Sequence, residues 1–459
     1  MKMNIIYIHT HDTGKVISPY GYNVISPNIE EFFQDATIFY NAFSAAPTCS
    51  PSRAALTSGC YPHQVGMLGL AQRGFEMDTD KHMAKLLRDN GYHTVLSGVQ
   101  HEKEYYLDHD TVYKDLGYLE DVTEEHRHYK EEDLVFWDEE NSYLLKKWIK
   151  NYKGDKPFFI SYGLHGTHRK YLEEISENVT VDSSVPPPYI YNNPASREDF
   201  ARYKTSLEIT DRNIGRVLKA LKEAGYYENS IIFITTDHGV AYPFSKCTLK
   251  DRGIAVFLSM RVPSGGDRLK SYDGLVSQID ILPTLLDLVA IEKPAYIEGR
   301  SFAKLFTEKA EKTYKVRDEI FAEINFHTSY EPARCIRTKR YKYIKFFDEY
   351  LKVNYSNIDA SPIKEFLNQH DLKDMSKPRE SLYDLYYDPI EENNLINDPR
   401  YREVLNRLRR RMKEIMRKTK DPLLDGNIKI KEEWKVNKQD AYHASSKDPD
   451  DYISLGRKK

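Results

Sequence analysis

The sequence predicts an α/β fold: a large mixed sheet sandwiched by helices, followed by a smaller C-terminal α+β subdomain. Three observations predict it. Short apolar, β-branched runs alternate with helical patterns. Clusters of His, Asp and Gly stand where several of those runs end. Near residue 310 the texture changes to longer alternating strands and one basic helix.

The strand candidates are 4–9, 37–43, 93–97, 157–163, 230–236 and 254–259. Each is short and mostly apolar, as strands covered on both faces should be. The clearest helix spans 198–224. Leu207, Ile214, Leu218 and Leu221 share one face there, and Gly225 supplies a stop. Beyond residue 310, Glu319–Phe326 and Arg340–Phe347 read as strands of a smaller sheet. Helix 400–418 gathers Leu405, Leu408, Met412, Ile415 and Met416 on one side. From about residue 424 the chain is rich in Lys, Asp and Glu and reads as an extended arm or loose tail. The expected units are therefore 1–310, 311–425 and 426–459.

Composition narrows the function classes. The 459 residues carry 40% apolar and 30% charged side chains, the balance of a globular enzyme. A net charge of −3 excludes nucleic-acid binding by bulk phosphate neutralisation, while leaving a local basic cleft open. The 35 tyrosines suit either core packing or the holding of flat polar ligands such as sugars. Four cysteines, Cys49, Cys60, Cys247 and Cys335, do not make a disulfide scaffold. No apolar run approaches the roughly 20 residues of a membrane span, and the run from Met1 straight into Asn4-Ile5-Ile6 carries the expectation of no leader. The expectation is a cytoplasmic setting, no membrane or nucleic-acid partner, and a chance sequon at Asn178-Val179-Thr180.

Chemistry concentrates at three strand ends: His9-Thr10-His11-Asp12, His165-Gly166-Thr167-His168 and Thr236-Asp237-His238-Gly239. At the carboxyl ends of one sheet these would converge on a single site. Two carboxylates suit a hard divalent cation such as Ca²⁺ or Mg²⁺; the histidines leave Zn²⁺ open.

The most specific signal is Cys49-Ser50-Pro51-Ser52-Arg53, followed by Ala54 through Gly59. This stretch resembles the sulfatase signature, Cys-x-Pro-Ser-Arg ahead of a helix ending in Thr-x-Gly. Further landmarks follow in order. Asn4 to Asp12 resembles the opening strand with its metal-binding pair, and Gly91 through His101 the second sulfatase motif. Thr236 to Gly239 resembles the later metal pair, and Lys246 the lysine that holds the substrate sulfate. Asp280 to Leu286 and Leu382 to Leu395 resemble structural landmarks. The resemblance covers most of residues 4–425 and implies an alkaline-phosphatase-like fold.

It also implies a mechanism. Cys49 would be oxidised to formylglycine by a dedicated maturation enzyme. The hydrated aldehyde attacks sulfur through one hydroxyl, and its second hydroxyl later expels sulfate. Asp12, Asp237, His238 and His11 would hold a divalent cation, most simply Ca²⁺, beside the residue derived from Cys49. Arg53 would stabilise the ionised diol, and His101 would act as base. His168 and Lys246 would clamp sulfate and protonate the leaving group. Two positions depart from the pattern. His11 stands where the family usually has Asp, and Val99 stands where a sulfate-contacting lysine is usual. Lys103 is the nearest replacement along the chain.

The substrate implied is a sulfated sugar. His63 to Leu70, Gly239 to Phe244, Glu380 to Asp384 and Asn397 to Asp421-Pro422 resemble the heparan N-sulfatase (sulfamidase) branch. That branch removes N-linked sulfate from glucosamine in glycosaminoglycan degradation. His327, Glu331 and Arg334 are candidates for binding sugar hydroxyls or a carboxylate. A phosphonate or phosphate ester hydrolase of the same superfamily, and a catalytically silent binder of sulfated glycans, are the competing readings. The sequence leaves a homo-oligomer open.

Overall fold

Strand Asn4–Thr10 runs through the middle of an eight-stranded mixed sheet in the computed structural model, which describes residues 3–105, 107, 111–263, 269–307 and 313–453. In spatial order the strands are Ser271–Tyr272, Thr37–Phe39, Leu258–Arg261, Ser230–Thr236, Asn4–Thr10, Phe158–Gly163, His93–Gly98 and Glu120–Asp121. Asn4–Thr10 is parallel to both neighbours, with His9 opposite Gly163 and Thr10 opposite Thr236. Three strands therefore end at one edge.

Alternation along the central strand builds two cores, because successive side chains leave opposite faces. Ile6 and Ile8 pack with Leu145 and Ile149 and with Leu207, Ile214, Leu218 and Leu221. The last four lie on helix Pro194–Glu223, which extends four residues N-terminal of the expected start behind an Asn193 cap. Ile5 and Tyr7 face the other way, toward Leu56, Met83, Leu87, Leu282 and Leu285.

Two expected strands divide. The run 37–43 forms Thr37–Phe39 in the large sheet and Ala42–Phe43 in a three-stranded sheet, with a turn at Tyr40-Asn41. The run 254–259 forms Ala255–Val256 in the small sheet and Leu258–Arg261 in the large one. Phe257 interrupts the pairing because its N–H donates to Gly14 O at 2.9 Å. An apolar run has no mark for the residue at which its partner changes.

The second unit is an antiparallel sheet of Glu319–Phe326, Tyr330–Thr338, Tyr341–Phe346 and Glu380–Asp384. Helix Arg402–Lys418 covers one face through Leu405, Leu408, Met412, Ile415 and Met416. The expected boundary at 310/311 lies outside the described residues. The C-terminal stretch is an arm as far as residue 453. Trp434 stacks on Phe75 at 4.3 Å, and Val436 and Asn437 are buried. The rest of the expected tail, 454–459, lies outside the described residues. All four cysteines are free and buried. Among the described residues no helix is long and apolar enough to cross a membrane.

Candidate active site

The three strand ends meet. Asp12, two residues past the end of Asn4–Thr10, sits in the left-handed region, φ 56°, which an aspartate tolerates better than most residues. Its backbone N–H donates to Asp237 Oδ1 at 2.9 Å, so the two turns are tied together. Gly239 lets the second of these turns pack against the backbone at Arg252. A Cβ there would stand 2.0 Å from Arg252 O, closer than any side chain allows. The third turn, His165 to His168, is fixed from behind by Asp138 on helix Leu134–Asn151. Asp138 accepts the N–H groups of His165 at 2.7 Å and Gly166 at 2.8 Å. Burial pushes its carboxyl up to about 8 against those two hydrogen bonds.

Cys49 is the first residue of helix Cys49–Ser58, where unpaired N–H groups favour an anion. The helix is wholly buried. Ser52 anchors it, its hydroxyl 2.6 Å from Asp237 O and 3.0 Å from Gln278 Oε1. Cys49 Sγ lies 3.3 Å from His238 Nε2 and 3.9 Å from Asp12 Oδ1. Burial, the largest influence, pushes the thiol well above its ordinary range. Burial thus disfavours the thiolate, the form of a cysteine that attacks.

Asp12, Cys49, Asp237 and His238 each offer a ligand atom within 4.8 Å of the others, as do His11, Asp12, Cys49 and His168. His11 Nε2 stands 3.4 Å from Asp237 Oδ2, and neither of its buried ring nitrogens has a hydrogen-bond partner. Buried polar atoms are rarely left so. Burial, with His168 and Arg53 adding to it, drives the His11 pKa well down, which leaves a neutral imidazole able to donate a lone pair. Two carboxylates, two imidazoles and a helix-terminal residue fit a divalent cation.

Cations surround this donor set. Arg53 Nη2 contacts Asp237 Oδ2 at 3.0 Å, and Nη1 meets His9 Nδ1. Lys246 Nζ bonds Asp12 Oδ2 at 2.7 Å, Asp359 Oδ2 at 3.1 Å and His168 Nε2 at 3.4 Å. Burial would lower the Lys246 pKa, but the two carboxylates hold it well above its usual range. His101, with φ 58°, places Nε2 2.9 Å from Gln72 Oε1 and its ring 5.3 Å from that of His11. A cavity of about 540 Å³ opens onto His11, Cys49, His101, His168, Lys246 and His327.

Residues 3–291, more than half of the chain, match the sulfatase family. The chain belongs to the sulfatase family. Residues 237–378 also match the C-terminal region of N-sulphoglucosamine sulphohydrolase. The human enzyme of that name is 25% identical over 475 residues, with 91% of each chain covered. An ulvan-active sulfatase of Formosa agariphila is 28% identical over 440 residues, covering 94% of this chain and 83% of its own. Among solved structures, BT4656 in complex with its substrate D-glucosamine-2-N,6-O-disulfate superposes with a TM-score of 0.70. Identity there is 17%, and 93% of this chain and 100% of that one are covered, which speaks to the fold. The protein is accordingly a hydrolase of sulfate esters or sulfamates.

This sulfatase departs from the sequence reading at several residues. Arg334 does not reach the cavity. Its guanidinium is spent on Asp421, Nε to Oδ2 at 2.6 Å and Nη2 to Oδ1 at 2.8 Å, and both side chains are fully buried. Glu331 is held by Lys377 at 2.5 Å and by Asn357 at 3.1 Å, and lines a neighbouring cavity. The two lie on strand Tyr330–Thr338 three residues apart, and an odd separation sends side chains to opposite faces. Only His327 of that trio lines the cavity shared by Cys49 and Lys246. Val99 is fully buried with Leu134 and Trp137. Lys103 does not replace the missing lysine; its ammonium lies 3.4 Å from Asp115. His165 is buried beside His168, ring to ring 5.1 Å, and does not line the cavity. The sulfamidase-like segments at His63 and Asp421 act as struts. His63 Nδ1 pairs with Glu323, and Asp421 holds Arg334.

The sequence reading missed Asp138, Gln278 and Asp359. Asp359 had no motif around it, and the other two act from behind the site. The Gln278 amide donates to Thr236 O at 2.6 Å and braces the strand end that carries Asp237.

Proposed function

We propose that this sulfatase removes sulfate from a sulfated sugar, with the N-linked sulfate of a glucosamine residue as its leading substrate, through an aldehyde made from Cys49. The observation that carries the reading is Cys49 itself: a buried residue at a helix N-terminus, inside a donor cluster and lining one cavity with Lys246 and His168. The maturation signature would be pointless for a silent glycan binder.

The hydrated aldehyde supplies one hydroxyl to attack sulfur and a second whose deprotonation releases sulfate. Asp12, Asp237, His238 and His11 would hold a divalent cation, best matched by Ca²⁺, which supplies Lewis acidity toward the sulfate oxygens. Lys246 and His168 hold the sulfate, and His168 hands a proton to the departing nitrogen or oxygen. Arg53 stabilises negative charge at the head of the Cys49 helix. His101 takes the proton that frees sulfate. The similarity to human N-sulphoglucosamine sulphohydrolase supports the amino-sugar substrate.

The test combines a peptide mass across Cys49 with a screen of N- and O-sulfated glucosamines against matured protein. Aldehyde present with no sulfate released from any of them would sink the reading. An aryl phosphonate belongs in the same screen. A phosphonate monoester hydrolase of Agrobacterium radiobacter shares the fold with a TM-score of 0.71 at 18% identity, covering 91% of this chain and 96% of its own. Preference for the phosphonate would move the chain to that chemistry.

A further inference from the structure

The C-terminal arm reaches the catalytic cavity, and it does so beyond residue 378, outside both matched family segments. Lys435, Tyr442 and His443 line one side of the cavity mouth, with Arg73, Lys170 and His327 also on its wall. The arm is a built wall. The Asn437 N–H donates to Thr328 O at 2.8 Å, Lys435 N–H to Arg73 O at 2.9 Å, and Lys364 Nζ to Tyr442 O at 2.7 Å.

Arg73 is the unusual member. It is 7% exposed, and its guanidinium donates only to neutral acceptors: Asn437 Oδ1 at 2.7 Å, Lys435 O at 3.0 Å, Thr328 O at 3.4 Å, and Ala444 O. Among the described residues it pairs with no carboxylate. Burial lowers it to about 10, so it stays charged at neutral pH. Lys435 is exposed and, among the described residues, also without an acidic partner; its ammonium lies 4.9 Å over the Tyr452 ring. Lys170, by contrast, is shared with Glu131 at 3.3 Å. Arg73 thus holds the backbone of a second cation beside the cavity, and among the described residues neither has a carboxylate to neutralise it, so positive charge stands there that the scissile sulfate, bound at Lys246, does not use.

We infer that the arm forms an outer subsite, in which Lys435, positioned by Arg73, binds a second anionic group of the substrate, a further sulfate or a carboxylate on the sugar. This rests on the sulfatase reading above and deepens it by naming a multiply anionic glycan as the preferred substrate class.

The experiment compares wild type, Lys435→Ala and Lys438→Ala, the last an exposed lysine of the same arm that does not line the cavity. Three substrates are used: N-sulfoglucosamine, its 2-N,6-O-disulfate, and N-sulfoglucosamine linked to a uronic acid. Lys435→Ala should lower the kcat/KM ratio of one of the latter two over the first by about fivefold to tenfold. The substrate affected tells sulfate from carboxylate, and Lys438→Ala should leave both ratios alone. Unchanged ratios in Lys435→Ala, or equal shifts in Lys438→Ala, would overturn the subsite. Calorimetric binding of the same three sugars to Cys49→Ala protein, with and without Lys435→Ala, keeps the two readings apart. No turnover of any sugar by matured protein defeats the sulfatase substrate, whereas a disulfate and uronate affinity indifferent to Lys435 defeats the outer subsite.

Discussion

Lys246 Nζ lies 2.7 Å from Asp12 Oδ2, so the residue proposed to grip sulfate and a residue proposed to hold the cation answer to each other's charge. Removing either alters both functions. Lys246→Ala should lower kcat/KM on the best sulfated sugar by about 10²–10³, the loss typical of a preorganised charge aimed at a developing anion. The fall should appear mainly in kcat. A change confined to KM would mean that Lys246 binds substrate and transition state equally.

Cation binding should be readable as stability. In chelator-treated protein, Ca²⁺ at a hundred times its Kd should raise the unfolding free energy by about 2.7 kcal/mol. Asp237→Asn should abolish that gain, since it removes one of the two carboxylates in the donor cluster. Urea unfolding with and without Ca²⁺ measures it. A gain that persists in Asp237→Asn would place the ion elsewhere.

The Arg334–Asp421 pair makes a prediction about acid. Burial alone would raise the Asp421 pKa, but Arg334 holds it below its ordinary value of 3.8. A carboxylate depressed in the folded state contributes stability above its unfolded pKa and loses it as pH falls through the folded value. Arg334→Met leaves Asp421 buried without its cation and should cost about 3–5 kcal/mol at pH 7. Burial then acts on Asp421 with its main opponent gone and raises its pKa, so the cost should shrink toward pH 4. Urea midpoints at the two pH values test the sign. A cost that grows in acid would contradict it.

Asp138→Asn probes the support beneath His168. An amide accepts through one oxygen only, so one of the N–H groups of His165 and Gly166 loses its partner. The expected cost is about 1–3 kcal/mol in thermal or urea unfolding. A lower kcat with little change in KM should accompany it, because His168 sits two residues beyond Gly166. Unaltered stability would mean that the loop holds without this brace.

The sequence was most legible where a single run of residues carries its own geometry. The strand ends at His11-Asp12 and Asp237-His238 and the Cys49 helix are local patterns, and the parallel sheet brings them together without further instruction. Helix Arg402–Lys418 was equally plain, because its apolar face repeats at helical spacing. Three-dimensional partnership was not legible. Arg334 and Glu331 look like binding residues in a polar stretch, and only the strand register shows where each side chain goes. Asp138 and Gln278 reach the site from behind, across more than 25 residues of chain, and no spacing rule announces such a brace. The stretch past residue 424 reads as an extended arm or loose tail, and its buried Val436 and Asn437 carry too little periodicity to decide between them.

Val99, enclosed by Leu134 and Trp137, bears on how this chain can change. Val99→Lys would drop an ammonium among apolar side chains with no acceptor supplied, before it could help any sulfate. Installing the usual lysine is therefore closed to a lone exchange at this position. Specificity is therefore more open to change at the cavity mouth than at position 99.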